Sequence, residues 1–474
     1  MGALYLAAEL LKIGIQTHII GSNATPKELD ELIGRVDPVA VGCSVMTGPE
    51  IVDFARLSLH VQRTHNTRKR VLPVIWGGMH PTIVTEQTLR EEYIDIVVSG
   101  EAEITLPSLL FQLSEGKFPE HKLVQSRTPS QMDELRPLWE AVDLARFVFP
   151  ESHSVHADVE FKRQNVFYYL LTSRGCTYQC NFCWEVARTI ALKAESLRLN
   201  AGSSGKDLAW RAHSFEWMAK QVEYVESTLR RKGIVMDGVG IWDDMFFGRS
   251  RPEDIKRARR TFSMMCESNF GYLMEVRANQ LIRTDSRWND AGVAREADLY
   301  RYLKETGCMQ VFVGTESANQ DTLNLIQKGT RATDYLRLVE ISRDIGLPLR
   351  FSMIVGFPKE TERSINDTLD FIGQLGSEPY ISVSGPKLFT PYPATKQFEM
   401  AVAAGFQPPQ TTVEWGWLNR YGGKYRDNFP WLRRIPGRTL DRIEGFFSKI
   451  SQEKRRQPDE EAINEVILET VRGH

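Results

Sequence analysis

The stretch 173-SRGCTYQCNFCW-184 places three of the chain's six cysteines within eight residues, in the spacing C-x3-C-x2-C. It continues from 166-VFYYLLTS-173, an aromatic and aliphatic run that reads as a β-strand. Cys176, Cys180 and Cys183 therefore lie on the loop at a strand's C-terminal end, where open α/β sheets bind their ligands. The other three (Cys43, Cys266 and Cys308) are scattered, which is not a disulfide framework. Zinc wants four ligands, and His153, His156 and His213 stand at no typical zinc spacing from the triad. A [4Fe-4S] cluster held by three thiolates instead leaves one iron open to a substrate or cofactor.

Downstream, 234-IVMDGVGIW-242, 271-GYLMEVRA-278, 309-MQVFVGT-315, 349-LRFSMIVG-356 and 381-ISVSGPKLF-389 read as further strands, with helical patterns between most pairs. The clearest helix is 215–229, where Phe215, Met218, Val222, Val225 and Leu229 recur at 3–4 spacing and Gly233 follows. Six βα units fit a partial barrel better than an open sheet, although periodicity alone does not separate the two. Upstream, 17-THII-20, 39-VAVGCSV-45, 73-PVIWGG-78 and 94-IDIVVSG-100 predict a second parallel sheet, with a capped helix at 25-TPKELDELIG-34. The chain opens on a helical pattern, 1-MGALYLAAELLKIG-14, where a doubly wound sheet opens with a strand. The expectation is a Rossmann-like sheet lacking its first strand.

These patterns divide the chain into a first domain (1–115), a linker (116–160), a barrel (161–395) and a helical C-terminal segment (396–474). Within the last, 413-VEWGWLNRYGGKYRDNFPW-431 holds six aromatics around a Gly-Gly pair, and reads equally as a substrate lid or a packed surface subdomain. A chain of 474 residues, 42% hydrophobic and 25% charged, has ample core for two or three domains. A net charge of −2 gives no electrostatic argument for nucleic acid or an anionic membrane. No run approaches the roughly 18 apolar residues of a membrane span. Glu9 and Lys12 interrupt the apolar start, and Leu6 stands where myristoylation wants Ser or Thr. The expectation is a cytoplasmic protein with a small-molecule substrate.

The cysteine spacing, with Phe182 before the last thiol, resembles the radical S-adenosylmethionine (SAM) superfamily. The resemblance implies a [4Fe-4S] cluster whose open iron chelates SAM. An external one-electron donor such as flavodoxin or ferredoxin would reduce the cluster, which splits SAM to a 5′-deoxyadenosyl radical. It implies SAM contacts from Phe182, from Asp243 and Asp244 in 242-WDDMFF-247 at the amino group, and from Arg277 at the carboxylate. Glu316 would meet the ribose, and backbone at Val355, Gly356, Leu388 and Phe389 the adenine, with Ala394 standing where relatives usually carry Gly.

The loops 43-CSVMTG-48, 76-WGGMHPT-82 and 99-SGEAEIT-105 resemble the cobalamin-binding domain that precedes the barrel in one subgroup of that superfamily. The implied cobalamin contacts are Ser44, Met46, Thr47, Gly77, Gly78, Met79, His80, Pro81, Thr82, Ser99, Gly100, Glu101 and Glu103. Glycines in these loops would let backbone approach the corrin. The segment 16-QTHIIG-21 lacks the Asp of the cobalt-ligating D-x-H-x-x-G pattern, so His18 reads as an ordinary strand residue. His80 reads as a loop residue at the corrin edge. The resemblance covers most of residues 1–395. It implies methyl transfer onto an unactivated carbon or phosphorus centre at the expense of two SAM molecules. Oxidative cyclisation or ring rearrangement would use the same cofactors, and the intact triad argues against a degenerate corrinoid-binding protein without activity.

Overall fold

In the computed structural model, residues 2–66, 71–129, 131–144, 149–150, 166–198, 209–283, 296–418 and 429–450 are described. His153, His156, residues 419–428 of the aromatic stretch and the tail from 451 lie outside them.

Helix α1 (Gly2–Lys12) precedes α2 (Pro26–Val36), which starts on a capping box between Thr25 and Glu28 with Pro26 at its first position. Then come β1 (Val41–Ser44), α3 (Glu50–Thr64), β2 (Val74–Gly77), β3 (Ile96–Ser99) and β4 (Leu123–Gln125). The four strands form one parallel sheet in the order β1-β2-β3-β4. Two expectations are corrected. Residues 17–20 show the alternating burial of a strand but form none, because among the described residues no neighbouring strand supplies a hydrogen-bonding partner. Residues 123–125, expected within the linker, pair with β3 and extend the sheet.

The second sheet runs β13-β12-β11-β10-β9-β6-β5. Its strands are β5 (Phe149–Pro150), β6 (Val166–Leu170), β9 (Gly238–Ile241), β10 (Gly271–Arg277), β11 (Cys308–Glu316), β12 (Leu349–Val355) and β13 (Ile381–Leu388). All six expected strands are present and mutually parallel; the short β5 joins antiparallel at the edge. Between β6 and β9 a two-stranded ribbon, β7 (Ser173–Gly175) with β8 (Trp210–Ala212), carries the chain into and out of the cysteine loop. The expected helix spans Phe215–Arg231, with Ser214 capping it through the Trp217 N–H. Its Met218, Val222, Val225 and Leu229 are buried against the sheet side of one core that also takes in the first domain. The architecture is a parallel α/β sheet followed by a six-unit partial barrel and helical C-terminal elements (Lys396–Ala403 and Gly437–Ile450).

Candidate active site

Pairing of Leu170 on β6 with Ile241 on β9 brings Thr172–Ser173 beside Asp243. The Asp243 carboxylate accepts the Thr172 N–H (2.6 Å), the Thr172 hydroxyl (2.5 Å), the Ser173 N–H (3.1 Å) and the Ser173 hydroxyl (2.8 Å). All four donors belong to the segment entering the cysteine loop, so this buried carboxylate fixes where that loop begins. At Gly175 (φ 93°) an added Cβ would stand 2.4 Å from the Ala209 carbonyl, so only glycine lets β7 pass β8 here.

Cys176, Cys180 and Cys183 follow as free thiols, Cys180 buried and the others partly so. The Asn181 side chain donates to the Leu325 carbonyl (2.9 Å) and its N–H to the Ile326 carbonyl (3.1 Å), while Gln397 donates back to it. Burial pushes the Cys176 thiol up to about 12 and raises Cys183 as well. Burial thus favours the neutral thiol at Cys176 and Cys183 until a metal displaces their protons. Among the described residues the triad does not gather within 4.8 Å, as ligands of a single ion would. Three thiols spread more widely than the ligands of one ion suit a polynuclear cluster, so the residues fit the group the spacing implies.

Around this loop stand the other expected residues. Arg277, ending β10, donates to Cys180 Sγ (2.7 Å) and to the Lys328 carbonyl, and its guanidinium lies 3.8 Å from the Tyr178 ring centre. Asp244, just beyond β9, is exposed at its edge, yet protein atoms crowd its carboxyl. Desolvation, then the nearby Glu185 carboxylate, raises its carboxyl to about 7. Glu316 sits at a register shift ending β11 with φ 68°, a left-handed conformation costly for a residue with a side chain. Its carboxylate meets Lys328 Nζ at 2.7 Å, and a Cβ on Gly314 would come within 3.1 Å of both groups. Ala394 also takes a left-handed φ of 56°, a conformation that costs a residue with a Cβ roughly 1 kcal/mol.

Gly356 (φ 85°) donates its N–H to Glu360 (2.7 Å) and accepts the Trp431 indole N–H (2.7 Å), while Val355 O accepts the Phe389 N–H (2.8 Å). Phe182, Phe357, Phe389 and Trp431 follow one another at ring separations of 5.6, 4.8 and 6.3 Å. Of the described part of the aromatic stretch, Trp431 thus packs on the strand ends of β12 and β13, whereas Trp415 lies against the first domain, its ring 6.0 Å from that of His80 and its indole N–H donating to Gln87 (2.6 Å). Leu388 is buried in the same cluster.

On the first domain, Ser44 and Met46 are exposed and Thr47, Gly77, Gly78, Met79 and Gly100 are partly exposed, all at or just beyond the C-terminal ends of β1, β2 and β3. Gly78 (φ 93°) could take no Cβ without meeting Val45 N at 2.9 Å, so the loops after β1 and β2 are braced together. These accessible loop ends suit a flat ligand approached by backbone. Other expected contacts are turned inward. His80 is wholly buried, its Nδ1 3.0 Å from Thr47 Oγ1, and burial lowers it to about 3. Pro81 is buried; the Thr82 hydroxyl donates to Gly78 O and accepts the Gly100 N–H (2.9 Å); Ser99 is buried.

The side chains of Glu101 and Glu103 are committed to the barrel. Glu101 pairs with Arg174 (3.1 Å), Arg188 (3.0 Å) and Arg211, and Glu103 with Arg174 (2.6 Å). Burial pushes Glu101 up, but Arg174, Arg211 and Arg188 outweigh it and hold its carboxyl at about 2. Arg174 precedes Cys176 by two residues and Arg188 follows Cys183 by five, so one first-domain carboxylate grips both ends of the cysteine loop. Sequence reasoning missed these arginines, as well as Asn181, Lys328 and Glu275. Burial raises Glu275 to about 7 among Lys387, Glu316 and Asp243. An arginine beside each end of a buried loop was the available signal.

One result separates clamping by Asp243 from charge recognition. Asp243→Ala strands two buried N–H groups, at an expected cost of about 3 kcal/mol, with a lower melting midpoint and less iron retained after reconstitution. Asp243→Asn can remake all four hydrogen bonds with the hydroxyls reversed, so it retains iron. Iron loss in both variants would show that the negative charge, not the clamp, matters.

The B12-binding domain family matches residues 1–110, and the radical SAM superfamily matches residues 249–372, beginning after the cysteine loop. The chain is 26% identical over 397 residues to an uncharacterized methyltransferase of Pyrococcus horikoshii, covering 81% of this chain and 74% of that protein. It is 23% identical over 425 residues to the anaerobic magnesium-protoporphyrin IX monomethyl ester cyclase of Rubrivivax gelatinosus, covering 83% of this chain but only 65% of that protein. The fold resembles that of the cobalamin-dependent SAM radical enzyme OxsB with aqua-cobalamin and SAM bound. There the TM-score is 0.62 at 15% identity, covering 100% of this chain and 72% of that one. No described helix is long and apolar enough to cross a membrane. A radical SAM domain implies a [4Fe-4S] cluster and SAM, and a B12-binding domain implies cobalamin. The chain thus carries a B12-binding domain followed by a radical SAM domain, the pairing of radical SAM chemistry with a cobalamin site.

Proposed function

We propose that the enzyme is a methyltransferase acting on an unactivated carbon, or a phosphorus centre, of a small and bulky molecule, with two SAM molecules consumed per turnover. The observation that carries this reading is the Glu101 contact, which fastens a cobalamin-domain loop to both flanks of the cysteine loop. Two cofactor sites held loop to loop suit a group handed from one to the other within one enclosed space. The likeness to a methyltransferase supports the same reading.

Bound, the cluster supplies an electron for SAM cleavage and cobalamin supplies a methyl carrier. Cys176, Cys180 and Cys183 would hold the cluster, and Arg277 and Asp244 would orient the carboxylate and amino groups of SAM. Glu316 with Lys328 would meet the ribose, and the Val355–Gly356 and Leu388–Phe389 backbone would border the adenine. Ser44, Met46, Thr47, Gly77, Gly78, Met79 and Gly100 would face the corrin. Packing of Trp431 over Gly356 excludes water from that side. An external flavodoxin- or ferredoxin-type donor would deliver the electron.

The test is anaerobic turnover of reconstituted, cobalamin-loaded enzyme with SAM, reductant and cell extract as substrate source. Equal amounts of 5′-deoxyadenosine and S-adenosylhomocysteine are expected. 5′-Deoxyadenosine without S-adenosylhomocysteine would overturn methyl transfer in favour of cyclisation or rearrangement, the chemistry named for the cyclase relative.

A further inference from the structure

Away from the strand ends, α2 and the end of α3 bring together Asp30, His60 and His65. His60 Nε2 and His65 Nε2 each lie 2.7 Å from the same oxygen, Asp30 Oδ1. The three ligand atoms lie within 4.8 Å of one another, and all three residues are partly exposed. The imidazole rings stand 6.2 Å apart at 72°, edge to face, so two nitrogens converge on one point from different directions. His65 caps α3 and His60 lies five residues before it, while Asp30 comes from the neighbouring helix.

We propose that Asp30, His60 and His65 bind a divalent transition-metal ion, zinc foremost, which fastens α2 to α3. Two imidazoles and one carboxylate are the donor set of a zinc-type ion; magnesium and calcium prefer all-oxygen shells. A tetrahedral ion with bonds of about 2.0 Å separates its ligands by ~3.3 Å. The two nitrogens therefore need retreat from Asp30 by only about half an ångström, within reach of side-chain rotation. Partial exposure leaves the fourth position to water. Ten residues of α3, about 15 Å, separate His60 from Glu50, where the helix meets the loop carrying Ser44–Thr47. The ion is thus a staple on the far side of the first domain. Its role is to hold the helix that supports the corrin-facing loop, outside the reaction.

The experiment uses the full chain without a histidine tag, its Cys176–Cys180–Cys183 triad occupied by reconstituted cluster, titrated with Zn2+ against a colorimetric chelator. The expected result is one equivalent of zinc per chain, with a raised melting midpoint. In the His60→Gln/His65→Gln double variant both effects disappear, while its zinc-free melting stays at the wild-type value. Co2+ provides a reading independent of any variant: visible absorption of nitrogen and oxygen ligation, without a thiolate charge-transfer band. Equal zinc binding by wild type and double variant, no binding by wild type, or a thiolate band would each overturn the site.

Discussion

Replacing Cys180 with Ala is expected to reduce SAM cleavage by at least ~1000-fold, to the protein-free background, while cobalamin absorbance persists. Cys180 is the most deeply buried of the three thiols, and its sulfur accepts a hydrogen bond from Arg277. A cluster held at three points cannot be kept in place by two, because the lost thiolate leaves a second iron without a protein ligand. The fold survives, since truncating one small buried side chain costs only about 1–2 kcal/mol. The hydrogen bond to that sulfur comes from Arg277 of the barrel rather than from the first domain, so corrin binding is expected to persist. The measurement pairs iron content with 5′-deoxyadenosine yield. Continued cleavage at more than about a hundredth of the wild-type rate would remove the cluster from this loop.

The second large effect belongs to Glu101. Glu101→Ala leaves the guanidinium groups of Arg174, Arg188 and Arg211 crowded at the domain junction with one fewer counter-charge. Breaking a buried ion pair from one side costs about 3–5 kcal/mol, because the partners lose their compensation rather than only a contact. We expect the melting midpoint to fall by roughly 5–10 °C and SAM cleavage to fall with it, as both flanks of the cysteine loop loosen. The wild-type protein carries the matching pH signature. Glu101 is held at about 2, below its unfolded value near 4.3. Its contribution is complete above about pH 4.3 and is lost as pH falls toward 2, so Glu101→Ala removes that part of the acid sensitivity. A variant that melts like wild type at pH 7 would mean that the arginines find other acceptors and the junction is held elsewhere.

The six barrel strands were legible because each is a short apolar run ended by a turn residue or a new helix. The triad was legible because its spacing is local. Residues 17–20 misled because a short apolar run does not reveal whether a neighbouring strand is present to pair with it. The β4 residues Leu123–Gln125 escaped notice because a three-residue strand with uniformly half-buried side chains has no period to detect. Asp243 could be placed at a strand end from the sequence, but not the fact that Thr172 and Ser173, seventy residues earlier, occupy its oxygens. Glu101 and Glu103 were assigned to the corrin because acidic loop residues look free until their partners are known. The pairs of Glu101 with Arg174, Arg188 and Arg211 span 73 to 110 positions, a distance over which local spacing is silent.

That junction also limits how the enzyme can be recombined. A chimera that grafts a foreign corrin-binding module onto this barrel would bring Arg174, Arg188 and Arg211 against a loop chosen for another partner. Unless the donor offers a carboxylate at the position of Glu101, the graft would bury like charges and repel the scaffold it is meant to join. Retaining residues 99–105 from this chain, or replacing the arginines along with the module, would make the two halves interchangeable.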